Sequence, residues 1–258
     1  MDKKTNSKNV MIWKETTFRY VAFFDILGFK EMVFRNSHAS VKKKLMVLHD
    51  IVDLYQDTTN ERIKEKPQAR HPVKIAMFSD SLVLFSSDNS LESLKEILVA
   101  SQYINTLALV NKIPIKGALS YGTVTADFTN SVFFGKAIID AFLLQDELLL
   151  YGAILHHSIE KRINDINFKN KPEFYASYCC PLKLGNVNHL LVMLDPNFIL
   201  SRDKKGKGII GFNEISSGHQ RKYVDNTVKY FEHIQKSSLE NISILKVSKL
   251  HKQKVKKL

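Results

Sequence analysis

The stretch FRYVAFFDI, residues 18–26, is rich in aromatic and β-branched side chains and holds one carboxylate, Asp25. A run of this composition predicts a strand that is buried on both faces. The strand ends at Leu27-Gly28-Phe29, where the glycine indicates a turn. Burying a carboxylate in so apolar a strand costs free energy unless a cation or hydrogen-bond donors compensate it. Asp25 is therefore a candidate functional residue.

Hydrophobic periodicity downstream of this strand predicts a mixed fold. Apolar residues at three- and four-residue steps indicate amphipathic helices, and short apolar runs indicate strands. The order strand, helix, hairpin, helix, strand is that of a βαββαβ sheet with helices on one face, which makes the predicted class α+β and ferredoxin-like. The predicted elements are one or two helices over 30–57, a loop over 56–72, strands at 73–78 and 82–85, a helix at 91–110 and a strand at 113–121.

The remaining sequence gives weaker signals. We expect a polar leader over residues 1–15, a core over 16–160, a C-terminal α/β extension packed on the core over 161–245, and a lysine-rich tail over 246–258. The elements predicted here are a turn at 122–130, a strand at 131–134, a helix at 135–147, strands at 153–155 and 190–194, a basic loop at 202–208 and a helix at 223–235.

Composition and leader predict a soluble cytoplasmic protein without a membrane partner. The two cysteines, Cys179 and Cys180, are adjacent, and a disulfide between neighbours is strained, so a reducing compartment fits best. The leader MDKKTNSKNV lacks the apolar segment of a secretory signal. The longest apolar region, residues 137–155, is interrupted by acidic and amide side chains, too polar for an unassisted bilayer span.

The net charge is strongly positive. Lys and Arg outnumber Asp and Glu by 38 to 26, and the resulting charge of +12 attracts polyanions such as nucleic acid, acidic lipid or a nucleoside triphosphate. Much of the excess lies in loops and in the tail KVSKLHKQKVKKL, without the interleaved aromatics of a groove that tracks a nucleic-acid strand. We therefore interpret the tail as a solvated segment and predict no nucleic-acid partner.

A second carboxylate, Asp80, joins Asp25 as a candidate. It lies in Ser79-Asp80-Ser81 between two predicted strands, which places it at the tip of a tight hairpin. Carboxylates at a strand end and at a hairpin tip of one sheet can converge and hold a pair of Mg²⁺ or Mn²⁺ ions about 3.5–4 Å apart. The structural alternative is that Asp25 caps the following helix and Asp80 only occupies a turn.

Three segments resemble successive motifs of the class III nucleotidyl cyclases. They are FFDILGF at residues 23–29, FSDSLVLF at 78–85 and IKGALSYG at 115–122, and their order and spacing also match that family. The resemblance implies ring closure of a nucleoside triphosphate by two-metal-ion catalysis. It also implies a homodimer with its sites at the subunit interface.

The resemblance further implies roles for individual residues. In that family two aspartates bind both metal ions, the residue after the first adds a backbone carbonyl, and a glycine-containing turn wraps the triphosphate. These roles fall on Asp25 and Asp80 as metal ligands, Ile26 for the carbonyl, and Leu27, Gly28 and Phe29 for the substrate-binding turn.

The sequence departs from the family pattern at four positions. The Lys and Asp that select adenine are replaced by Ala76 and Val132, which cannot hydrogen-bond a purine edge. The helical Asn and Arg that steady the transition state are replaced by Ile139 and Leu143. Lys116 and Lys136 are the nearest cations that could supply catalytic charge, and the alternative for both is an ordinary solvated lysine.

Two later segments resemble the pyrimidine cyclases of bacterial antiphage defence. They are FFGKAIIDAFLLQDE at residues 133–147 and RKYVDNTVKYFEHI at 221–234. This resemblance implies that UTP or CTP is converted to cyclic UMP or cyclic CMP, a second messenger for a separate effector protein that responds to cyclic nucleotides. The sequence leaves the choice of base open.

Two other functions stay open. The missing Asn and Arg fit a catalytically inactive, cyclase-like module that binds a nucleotide and regulates a partner. A nucleic-acid-binding protein is the third reading, because polymerase palms share this sheet topology and its paired carboxylates.

Overall fold

The computed structural model describes residues 13–65, 71–194, 212 and 217–240. Within these ranges one mixed sheet of eight strands is packed between helices on its two faces. The elements in chain order are β1 (Thr16–Ile26), α1 (Phe29–Arg35), α2 (His38–Glu65), β2 (Lys74–Phe78), β3 (Ser81–Phe85), α3 (Leu91–Val110), β4 (Ile115–Asp127), β5 (Val132–Phe134), α4 (Lys136–Glu147), β6 (Ala153–Leu155), α5 (His157–Asp165), β7 (Tyr175–Leu182), β8 (Gly185–Val192) and α6 (His219–Glu240).

Strand β1 lies at the centre of the predicted unit. The sheet order is β2-β3-β1-β4-β6-β8-β7, with β5 pairing on β4, and β1 is antiparallel to both β3 and β4. Strand β4 runs parallel to β6, which joins the strands of the C-terminal extension to the same sheet. The predicted α+β class and the βαββαβ order are confirmed.

Alternating residues of β1 face two different layers. Tyr20 and Phe24 pack against α2 and α3, so the helices of the βαββαβ unit lie on one face as predicted. Phe23 faces the other side, where its ring meets Phe142 of α4 edge-on at 5.4 Å. Helix α6 covers the same side farther along, over β6 and β8. Each large apolar side chain buried in these layers contributes about 1.5–3 kcal/mol.

A charged residue, Arg19, is fully buried in the second of these faces. Its guanidinium donates to the carbonyls of Lys14, Glu15 and Ser86 and lies 4.2 Å from the centre of the Trp13 ring. Burial lowers the pKa of Arg19 to about 10. Backbone carbonyls and an aromatic face thus compensate this cation, and the charge of Asp88 adds to their effect.

Several predicted boundaries are wrong: β8 begins at Gly185 and not at 190, α6 extends beyond 223–235 at both ends, and two elements before residue 160 are longer than predicted. Helix α2 continues to Glu65 through the first part of the predicted loop, because Thr58 donates to the Leu54 carbonyl at 2.8 Å and Thr59 is buried. Strand β4 continues to Asp127 through most of the predicted turn at 122–130, because its later residues pair with β5.

The extension contains elements that the sequence did not indicate. Helix α5 and strand β7 were not predicted, since α5 buries only Ile159 and Ile163 and β7 buries only Tyr175 and Cys180. The predicted basic loop at 202–208 and the tail at 246–258 lie outside the described residues. None of the helices in the described part of the chain combines the length and the apolar character that a bilayer span needs.

Strand β4 packs so closely on β1 at Gly117 that a larger residue there does not fit, and a substitution at this glycine tests the packing. A β-carbon there would lie 2.6 Å from the Phe23 carbonyl oxygen and 2.4 Å from the Phe24 ring, whereas at Gly122 of the same strand it would meet Ala137 at 3.5 Å. We expect Gly117→Ala to lower the free energy of unfolding by about 2–3 kcal/mol because backbone must move. Gly122→Ala is the matched control and should change it by less than about 1 kcal/mol. Urea unfolding measures both, and equal effects would contradict the packing described.

Candidate active site

The strand registers place four residues in one row across the sheet. Phe78 of β2 pairs with Ser81 of β3, Ser81 pairs with Asp25 of β1, and Asp25 pairs with Lys116 of β4. Directly opposed residues of neighbouring strands point to the same face. Asp25 is therefore flanked by a hydroxyl on one side and by an ammonium on the other, with the exposed ring of Phe78 at the sheet edge.

Asp80 is held beside this row by the β2–β3 turn. Ser79 adopts a left-handed φ of 56°, and the Asp80 carbonyl accepts a hydrogen bond from the Ile26 amide at 3.0 Å. That bond continues the pairing of β1 with β3 past the last strand residue. The hairpin tip is consequently fixed next to the end of β1, and the structure brings Asp25 and Asp80 together.

The two carboxylates repel each other. The pKa of Asp25 is raised to about 6, first by burial and then by the negative charge of Asp80, while Lys116 and a hydrogen bond from Ser81 act in the opposite direction. A half-buried carboxylate beside a second one is stabilised by a bound cation, which neutralises both.

The donor set fits Mg²⁺ or Mn²⁺ that is shared with a substrate. Within the described ranges, no three His, Cys, Asp or Glu side chains form a group that could hold a metal by themselves. Mg²⁺ is commonly bound by one or two carboxylates together with substrate phosphates and water. Asp25, Asp80 and the backbone carbonyl of Ile26 would supply the protein's part of such a site.

Lys116 lies next to Asp25, and its ammonium is held at the C-terminal end of α4. Its Nζ donates to the carbonyls of Asp146 at 3.0 Å and Leu148 at 3.2 Å, and the side chain is only 3% exposed. Burial lowers the pKa of Lys116 to about 8. A cation at the carbonyl end of a helix is favourably placed, so Lys116 ties the end of α4 to the carboxylate end of the sheet.

Lys136 lies at the opposite end of α4. Its side chain is 78% exposed and pairs with Asp140 at 2.6 Å. The neighbouring residue Ala137 accepts from Ser120, which is four residues along β4 from Lys116, or about 13 Å. Within one chain the structure does not bring Lys136 to Asp25, in contrast to Lys116.

The turn after β1 is open. Gly28 adopts a left-handed φ of 72°, and a β-carbon there would meet no atom within 4 Å. The Leu27 amide donates to the Pro114 carbonyl at 2.8 Å, which fixes the start of the turn, and helix α1 that begins at Phe29 has no buried residue. The predicted substrate-binding turn therefore lies exposed directly after Asp25 and Ile26.

The positions that depart from the family motifs form apolar surface. Val132, Ile139 and Leu143 are exposed, and Ala76 is half-buried opposite Val83. Helix α4 thus presents aliphatic side chains to solvent on the same sheet face as Asp25.

Sequence reasoning missed two residues that shape the site. Ser81 follows Asp80 directly, and pairing the predicted hairpin with the first strand would have placed its hydroxyl opposite Asp25. Tyr223 of α6 places its ring 5.7 Å from the Lys116 Nζ, and no local pattern links two residues so far apart in sequence.

Comparisons with known proteins find structural likeness only. No family model matches the sequence, and no curated protein matches it. The catalytic core of a rhodopsin-guanylyl cyclase with converted specificity, in complex with ATPalphaS, is similar at a TM-score of 0.47 and 17% identity over 70% of this chain and 97% of that one.

Two further solved structures are similar. A bacterial light-regulated adenylyl cyclase has a TM-score of 0.45 and 13% identity, over 78% of this chain and 97% of that chain. The adenylyl cyclase CyaB from P. aeruginosa has a TM-score of 0.37 and 15% identity, over 70% of this chain and 96% of that chain. At these values the function has to be inferred from the residues themselves.

The raised pKa of Asp25 predicts a stability effect with a definite sign. Because the folded pKa of about 6 lies above the unfolded value of 3.8, the native state binds more protons in this window, and its stability falls as pH rises through it. Asp25→Asn should therefore raise the free energy of unfolding above pH 6 by about 1–2 kcal/mol, since partial exposure reduces the full effect, and should change little below pH 4.

The control for this prediction has the opposite sign. Hydrogen bonds from the side chain and backbone of Asn130 lower the pKa of Asp127, so Asp127→Asn should lose stability above pH 4. Thermal unfolding in EDTA between pH 4 and pH 8 measures both variants. An Asp25→Asn protein that is less stable than the wild type at pH 8 would contradict the described electrostatics.

Proposed function

We propose that the protein is a metal-dependent nucleotidyl cyclase of the class III type. The observation that carries this proposal is the convergence of Asp25 and Asp80 at one end of the sheet, held there by the bond from the Ile26 amide to the Asp80 carbonyl. The open turn at Gly28 follows directly and offers backbone N–H groups to phosphate oxygens. In this proposal residues 16–160 form the catalytic core and residues 161–245 its extension.

The chain's own groups would act mainly by positioning and charge. When bound, Mg²⁺ or Mn²⁺ polarises the phosphate oxygens and lowers the pKa of a nearby hydroxyl. Asp25 and Asp80 fix where that charge lies, and the turn from Leu27 to Phe29 holds the triphosphate so that the ribose 3′-hydroxyl faces the α-phosphorus in line. Ring closure joins the 3′-oxygen to that phosphorus and releases pyrophosphate, with the hydroxyl proton passing to solvent.

The substrate we infer is UTP or CTP. Ala76 and Val132, which replace the residues that select adenine, bring no hydrogen-bonding group to a purine edge. Phe78, 85% exposed two residues before Asp80, offers a ring on which a base can stack without reading its edge. The product would be cyclic UMP or cyclic CMP, acting in antiphage defence as a cytoplasmic signal to a separate effector.

The active form in this proposal is a homodimer. On α4, three large apolar side chains are about half exposed or more: Ile139, Phe142 and Leu143. Exposed apolar residues clustered in this way usually mark an interaction surface. The same helix crosses the sheet face that carries Asp25. A second copy seated on this surface would bring its own α4, including Lys136, toward the site of its partner.

Nucleotide turnover is the direct test. We expect the wild-type protein with Mn²⁺ to convert UTP or CTP, offered beside ATP and GTP, to the cyclic monophosphate and pyrophosphate. Asp25→Asn and Asp80→Asn should each lower the rate at least about 10³-fold, because the metal ligands are lost. Mass spectrometry of the products identifies the base. Purine cyclisation alone would overturn the pyrimidine assignment.

The alternative is a catalytically inactive module that binds nucleotide and regulates a partner. Its support is that Ile139 and Leu143 replace the Asn and Arg of active relatives. It predicts Mn²⁺-dependent nucleotide binding by calorimetry, sensitive to Asp25→Asn, with no product from any of the four nucleotides.

Substitution on α4 tests the dimer. We expect Leu143→Glu, at a side chain 58% exposed, to shift the protein from dimer to monomer and to abolish turnover, because a charge is placed in an apolar interface. Leu184→Glu, at a leucine 98% exposed in the β7–β8 turn, is the matched control and should leave the mass unchanged. Light scattering after size exclusion measures both. A Leu143→Glu protein that stays dimeric would place the interface elsewhere.

A further inference from the structure

Segment 146–151, which runs from the last two residues of α4 toward β6, makes hydrogen bonds to three other parts of the molecule. Leu148, Leu149, Leu150 and Tyr151 are all buried in the second core of the molecule. The carbonyls and amides of this segment bond to β4, to the β7–β8 hairpin and to α6. Such a segment transmits a displacement of one neighbour to the others, because close-packed interiors deform little.

The first set of hydrogen bonds comes from Lys116 of the candidate active site. The Lys116 ammonium donates to the carbonyls of Asp146 and Leu148 at 3.0 and 3.2 Å. Both acceptors are backbone atoms of the segment, so their positions decide where the ammonium lies. Lys116 is at the same time the direct cross-strand neighbour of Asp25.

The second set of hydrogen bonds joins the segment to the β7–β8 hairpin. Lys183 donates through its Nζ to the Asp146 carboxylate at 2.5 Å and through its amide to the Glu147 carbonyl at 3.0 Å. The Leu149 amide donates to the Pro181 carbonyl at 2.9 Å. The Asp146 carboxylate is thereby engaged by Lys183, while Asp25 and Glu147 are the other carboxylates whose charge acts on Lys116.

The third set of hydrogen bonds joins the segment to α6, far along the chain. The Tyr151 amide donates to the hydroxyl of Thr227 at 2.8 Å, and that hydroxyl donates to the Tyr223 carbonyl at 2.7 Å. Asn226 donates from its side-chain amide to the Leu149 carbonyl at 2.8 Å. Thr227 is fully buried, so nothing but the segment and its own helix satisfies its hydroxyl.

We propose that Thr227 and Asn226 are positioning residues for the metal site, an inference that rests on the proposed function. They hold segment 146–151 so that Lys116 keeps its two carbonyl acceptors. If the segment loosens, the desolvated Lys116 ammonium turns to the Asp25 carboxylate and forms an ion pair. That pair neutralises one of the two carboxylates on which a divalent cation depends, and cation affinity falls.

The test compares two substitutions in α6 that each remove one buried hydroxyl and its hydrogen bonds. Thr227→Val removes the bond to segment 146–151, whereas Tyr230→Phe removes the bond from the fully buried Tyr230 to the Val192 carbonyl in β8, 3.1 Å long. Mn²⁺ binding to the full chain is titrated by electron paramagnetic resonance, with wild type and Asp25→Asn as references. We expect Thr227→Val to bind Mn²⁺ about tenfold more weakly than the wild type and Tyr230→Phe to bind it unchanged.

A conservative variant separates positioning from simple loss of stability. Thr227→Ser keeps the hydroxyl and should restore wild-type affinity, while urea unfolding reports the stability of every variant. Equal weakening in Thr227→Val and Tyr230→Phe would mean that α6 acts only through global stability and would overturn the inference. So would a Thr227→Val protein with wild-type affinity.

The outcomes distinguish this inference from the proposed function. A wild type that binds Mn²⁺ through Asp25 but consumes no nucleotide overturns the cyclase activity, and the Mn²⁺ affinities of the α6 variants still decide the positioning role. A wild type that cyclises nucleotide, with α6 variants that match it in Mn²⁺ affinity and rate, overturns the positioning role alone. A wild type that binds no Mn²⁺ overturns both.

Discussion

The pairing of β1 with strands on both of its edges is the constraint on which the molecule depends. Side chains alternate between faces along a strand, so a slip of one residue would turn Asp25 into the layer of α2 and α3. The register is held by the burial of alternate residues such as Tyr20 and Phe24, which fit only one face. Apolar packing at the middle of β1 thus sets the position of a carboxylate at its end.

The site works against the stability of the fold that carries it. Two carboxylates and a buried lysine meet at one end of the central strands of an otherwise well-packed sheet, and burial disfavours the charge on Asp25 and on Lys116 alike. Functional sites commonly keep such unfavourable arrangements because binding relieves them. The buried Arg19 at the other end of β1 is different, since the carbonyls of Glu15 and Ser86 and the Trp13 ring compensate its charge, although its Nε has no hydrogen-bond partner among the described residues.

The sequence predicts the carboxylate site better than it predicts what supports it. Asp25 and Asp80 stand out because polar residues interrupt apolar runs, and the bounds of helix α3 are predicted correctly because a long, largely apolar run is bounded by polar residues at Ser90 and Asn111. The burial of Arg19 went unpredicted because it depends on Trp13 and on loop carbonyls that local patterns do not reveal. Likewise, the direction of the Lys116 side chain depends on residues about 30 positions away, where periodicity holds no information.

The bond between the Tyr151 amide and Thr227 spans 76 residues and gives the molecule an order of assembly. During synthesis at about 5–20 residues per second, the strands β1 to β4 with both carboxylates would leave the ribosome roughly 5–20 s before Thr227 of α6. A nascent chain would therefore contain Asp25 and Asp80 before the bond from Tyr151 to Thr227 can form. In a truncated or stalled copy that lacks α6, the Tyr151 amide would have no bond to Thr227, so the support of segment 146–151 depends on synthesis of the chain past residue 227.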